Sequence, residues 1–111
     1  RDEGVRALAD SRKLVQLTAL YLENNHITDQ GAIEIASSET FKNLQVLNLY
    51  RNKITDKGAQ EIAESETLSN LIEVNLNFNL IGDEGAISLA TSSSLSQLKI
   101  LLNSSNEQRV C

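Results

Sequence analysis

The sequence predicts an α/β fold, a right-handed solenoid whose parallel strands line a concave face while α-helices cover the convex one. Two observations carry that expectation. Sliding the chain against itself gives one register at 27 residues, with 15 of 27 positions identical, without a gap, between residues 29–55 and 56–82, the mark of stacked copies and not of chance. Within each period a strand rhythm of alternating apolar residues gives way to an i, i+3, i+4 helical rhythm. Neither segment buries its apolar side alone, so successive copies must stack, strand beside strand about 4.8 Å apart and helix beside helix.

The elements follow in order. Arg1 to Arg12 supply a helix with no strand before it, and the chain has no initiator Met, so it reads as a segment of a longer array of which residues 1–111 form a single domain of about four repeats. The first strand is carried by Leu17, Leu20 and Leu22, which recur as Leu44, Leu47 and Leu49 and then as Leu71, Val74 and Leu76. An Asn and an Ile close each strand: Asn25 and Ile27, Asn52 and Ile54, Asn79 and Ile81. A Gly-Ala pair then opens a helix whose buried stripe is Ala32, Ile35 and Ala36 in one copy and Ala59, Ile62 and Ala63 in the next. In the fourth copy the strict period puts Ile100 and Leu102 on the open face, Asn103 in a leucine's place and Gln108 in an isoleucine's.

The stretches "LTALYLENNHI", "LQVLNLYRNKI" and "LIEVNLNFNLI" resemble the pattern LxxLxLxxNxL of leucine-rich repeats, and "TDxGAxxIA" is similar to the helical half of the ribonuclease-inhibitor-like subclass. That resemblance covers nearly the whole chain and implies a horseshoe segment. It names no activity, because the family spans inhibitors, receptor sensor domains, regulators of small GTPases and bacterial effectors such as the GALA proteins, and a fold does not decide a site.

Composition narrows the function classes. Ten basic against fifteen acidic side chains leave a net charge of −5 with no Lys/Arg cluster, which argues against nucleic acid as a partner. No apolar run reaches the length of a membrane span and no signal peptide opens the chain. One cysteine, Cys111, permits neither an internal disulfide nor a two-thiolate metal site, and together these favour an intracellular setting without fixing it. The single imidazole, His26, lies in a column with Lys53, Leu80 and Glu107, far from the serine column of Ser11, Ser38, Ser65 and Ser92. No acid, base and nucleophile constellation assembles, so the sequence points away from an enzyme and calls for no cofactor.

The repeated polar residues read as structural. Asn25, Asn52, Asn79 and Asn106 form a ladder able to satisfy backbone groups of adjacent coils. Asp29, Asp56 and Asp83 would stand about 5 Å apart from coil to coil, within reach of a bridging calcium ion, but each also begins a helix, where capping of free N–H groups is the stronger expectation. The glycines that follow let neighbouring backbones approach.

Residues between the buried leucines face the opposite, open side of the strands, and there every chemistry occurs. The candidate partner-binding set is Tyr21, Glu23, Asn48, Tyr50, Arg51, Glu73, Asn75, Asn77 and Phe78. Three of the four aromatics fall in it, with Arg51 alongside, while Phe41 sits in a framework column. Exposed aromatics beside an arginine are the make-up of a protein-binding hot spot. The sequence therefore predicts a protein-interaction module acting through its concave sheet, with a spacer or scaffold segment as the alternative and homodimerisation through uncapped ends as a further possibility.

Overall fold

A computed structural model of the chain describes residues 1–93, 95 and 99–102. Its elements alternate as the two rhythms require: α1 (Asp2–Ala9), β1 (Ala19–Tyr21), α2 (Asp29–Ser37), β2 (Val46–Asn48), α3 (Asp56–Ala63), β3 (Glu73–Asn75), α4 (Asp83–Ala90) and β4 (Lys99–Leu101). Short 3-10 turns at Arg12–Leu14 and Glu39–Phe41 carry the chain from helix to strand. The four strands form one open parallel sheet in the order β1-β2-β3-β4. The helices pack in the same order on the other side, each against its neighbour in sequence.

The core lies between the two layers. Leu44, Leu47 and Leu49 of the second coil are fully buried, as are Val74 and Leu76 of the third, against Ala32, Ile35, Ala59 and Ile62 from the helices. Phe41 takes its framework position, also fully buried. Residues 25–27 and their equivalents link the layers, with Ile27 and Ile54 sealed inside. No helix among the described residues is long and apolar enough to cross a membrane.

The fourth strand departs from the strict period. β3 pairs with β4 as Glu73 with Lys99, Val74 with Ile100 and Asn75 with Leu101, whereas the two earlier pairings, Ala19 with Val46 and Val46 with Glu73, keep the 27-residue step. Ile100 and Leu102 consequently pack against the core and are not open-face residues. The reason is the strand's two-residue period: a slip of one exchanges the faces of every side chain. Here the slip brings Leu102, not Asn103, into the inward place of Leu76.

Three polar columns fasten coil to coil. The Asp29 carboxylate accepts from the Thr55 N–H (2.7 Å), the Thr55 hydroxyl and the Gly58 N–H (3.1 Å); Asp56 does the same for Gly82 and Gly85. The capping expectation holds in kind, but the helix being capped belongs to the following coil. The N-caps of α2 and α3 themselves are Thr28 and Thr55, whose hydroxyls accept from the Gln30 and Lys57 N–H groups. The serine column, which sequence reasoning left without a role, does the same at the other helix end. Ser65 Oγ donates to Ala36 O at 2.6 Å and accepts from Leu68 N, and Ser38 and Ser92 donate to Ala9 O and Ala63 O. Asn43 and Asn70 add a further stitch, from Nδ2 to Val15 O and Lys42 O.

Candidate functional site

The asparagine ladder ends each strand and fixes the geometry of the rim. Asn52 Oδ1 accepts from the N–H groups of Asn25 and Ile27, both at 2.9 Å, while its Nδ2 donates to Leu22 O and Leu49 O. Asn79 repeats the arrangement one coil on, accepting from Ile54 N and donating to Leu49 O and Leu76 O. Both are buried, so these bonds satisfy backbone groups that water cannot reach. Asn25, in the first coil, is only half-buried and its Nδ2 bonds Glu23 O. Asn106 lies outside the described residues, as does Cys111.

Between strand and ladder the backbone makes a turn that sequence periodicity does not announce. Asn24, Arg51 and Phe78, at one position of three successive coils, have φ of 58°, 57° and 62°. Asn adopts this left-handed conformation readily, but Arg and Phe are strained there by roughly 1–2 kcal/mol. The turn is held from both sides. Asn48 Oδ1 accepts from the Tyr50 N–H and Asn75 Oδ1 from the Asn77 N–H, each closing the chain two residues on, and the Arg51 N–H still reaches Asn77 O at 2.9 Å. Asn48 and Asn75, expected as contact residues, thus spend half of each amide on shaping the turn.

The left-handed turn swings Arg51 and Phe78 together over the rim of the sheet. The rings of Tyr50 and Phe78 meet edge to face with centroids 5.3 Å apart. The Arg51 guanidinium carbon lies 5.1 Å from the Phe78 ring centre and 5.7 Å from that of Tyr50, within cation–π range of both. The sequence named these three residues as candidates; their mutual stacking it did not show, because alternation says which face a residue takes and nothing about rotation at the turn.

The other candidates share the face without joining the cluster. Tyr21, 60% exposed, stands on β1 in register with Asn48. Glu23 is exposed at the same edge, and Asn77 is half-buried. Glu73 faces Lys99 directly across β3 and β4, an opposite-charge pairing that the strict period had hidden. On the outer wall, Arg6 pairs with Glu34 at 3.5 Å and Lys57 with Glu61 at 3.0 Å. Among the described residues, no three His, Cys, Asp or Glu side chains converge as a metal-ligand set. His26, at φ 57°, is exposed.

Comparison with known proteins agrees with this geometry. Residues 13–59 match a family model of leucine-rich repeats in two copies, and residues 67–90 match a further leucine-rich repeat model. No curated protein matches the chain. The matched stretches together span more than half of the chain, from β1 to the first turn of α3 and again over β3 and α4, so the chain belongs to the leucine-rich repeat family.

Proposed function

We propose that the chain is a protein-recognition module of the ribonuclease-inhibitor-like subclass, one stretch of a longer repeat array, that engages a partner protein through its inner sheet with Tyr50, Arg51 and Phe78 as anchors. Leucine-rich repeats generally serve protein–protein interaction. The observation that carries the reading here is the pair of strained turn residues. Arg51 and Phe78 occupy a backbone conformation that asparagine would fill at lower cost, as Asn24 does in the first coil. Strain retained at a surface, where two aromatic rings meet edge to face, supports a contact made outside the molecule.

Size sets the expected strength. Four short strands and their rims offer roughly 500 Å² at sheet spacings, below the about 800 Å² per partner of a standard interface. These coils alone bind weakly, or contribute part of a longer surface.

The double substitution Arg51→Asn with Phe78→Asn tests the reading, because it keeps the turn and removes the stack. Proteins retained by the immobilised wild-type chain should be lost by the variant, with the melting temperature unchanged or raised. Retention that survives the double change would place recognition elsewhere. Deleting one 27-residue unit separates recognition from a spacer role, since a spacer tolerates the loss.

A further inference from the structure

Resting on the inner-face reading, we infer that the partner segment is acidic: an extended peptide that places an Asp or Glu side chain against Arg51 and an adjacent aliphatic side chain on the rings of Tyr50 and Phe78. The chemistry around the cluster is one-sided. The Arg51 guanidinium lies within cation–π range of both rings, and no hydrogen bond engages its side-chain N–H groups among the described residues. Those are donors only, in the geometry that a carboxylate meets with two parallel bonds. The ion pairs among the described residues are formed by Arg6 and Lys57, so no carboxylate among those residues occupies Arg51.

The neighbouring amides have the same polarity. Asn48 and Asn75 commit their oxygens to the turn, so what each offers a ligand is its Nδ2 group, a double donor. On the adjacent strand, Lys99 stands opposite Glu73 and offsets that acid. A ligand lying here meets donors along one line and two ring faces beside them, which suits side-chain carboxylate and backbone carbonyl acceptors next to an aliphatic group.

Two features set limits. The chain's net charge of −5 opposes acidic ligands at long range, so recognition depends on the short-range fork and the desolvation the rings provide. Glu23, exposed one strand away from Tyr50, is an acid beside the cluster and works against such a ligand.

The test is a library of random twelve-residue peptides displayed on phage and panned against the purified chain, followed by affinities of the enriched sequences as synthetic peptides. Enriched peptides should share an Asp or Glu beside an aliphatic residue. Arg51→Glu should weaken them by about 30-fold or more, the scale of a hot-spot residue; Arg51→Lys, which keeps the charge and loses the fork, should cost less but clearly weaken them; and Glu23→Gln should tighten them. Enrichment of basic or uncharged peptides overturns the inference, as does failure to enrich any peptide. Peptides lost with Tyr50→Ala but indifferent to Arg51→Glu and Glu23→Gln would overturn the acidic partner and leave the inner-face reading standing. Peptides indifferent to all of these changes would remove both.

Discussion

Gly58 sits in the first turn of α3 where an added Cβ would lie 2.5 Å from Asp29 Oδ1 and 2.7 Å from Ile54 Cγ2. In a helix, alanine is ordinarily better than glycine by about 1 kcal/mol, so the glycine marks a place where the neighbouring carboxylate needs that volume to reach the Gly58 N–H. Gly4 holds the same repeat position in α1, yet nothing lies within 4 Å of its added Cβ. The two should respond with opposite sign. Gly4→Ala is expected to raise unfolding stability in urea by up to about 1 kcal/mol, while Gly58→Ala lowers it, since the carboxylate must withdraw from its N–H partners or the coils must part. Equal signs would show that the glycine column serves only the local backbone. That neighbouring coils approach here was legible in the sequence. That the approaching group is a carboxylate from the preceding coil was not, because a periodic sequence does not say toward which neighbour a side chain leans.

At the scale of elements, strands and helices were legible to within a few residues, since each carries its own hydrophobic period and the glycine and asparagine columns punctuate them. The exception is β4, where consecutive leucines at 101 and 102 satisfy two registers equally well in sequence. Only packing discriminates: the observed pairing sends Ile100 and Leu102 inward and leaves Leu101 in the open-face column of Tyr21, Asn48 and Asn75. Leu102→Lys should therefore strip hydrogen-exchange protection from the β3–β4 ladder, while Leu101→Lys leaves it largely intact. The reverse result would restore the strict period. The candidate site divides the same way: its membership follows from strand alternation, whereas the stack of Tyr50, Arg51 and Phe78 depends on left-handed backbone that no residue preference for Arg or Phe announces. On the outer wall, the Lys57 ammonium is raised above the ordinary lysine value, first by its hydrogen bond to Glu61 and then by that residue's charge. The sign of its linkage follows: the pair favours the folded chain below the unfolded lysine pKa and loses that contribution as pH rises through the folded one.

Across the whole molecule, each coil touches its immediate neighbours, so stability accumulates as a sum of coil and interface terms and the two end coils hold less of it. The ends are unlike. One presents half-buried Leu8, Leu17 and Leu22 with the edge of β1; the other presents α4, where Ala90 is exposed although its equivalent in α3, Ala63, is buried. Contact between unlike ends is head-to-tail and does not close as a two-fold dimer. Sedimentation equilibrium at rising concentration should accordingly show mass growing beyond a dimer, and Ala90→Lys should hold the chain monomeric; an invariant monomer mass for the wild type would exclude end-to-end association. A last consequence concerns heredity. Because every unit brings both the carboxylate that points onward and the glycine hollow that receives one, a copy inserted by unequal crossing-over arrives already matched to its flanks, and arrays of this kind can change length between generations without inventing a new joint.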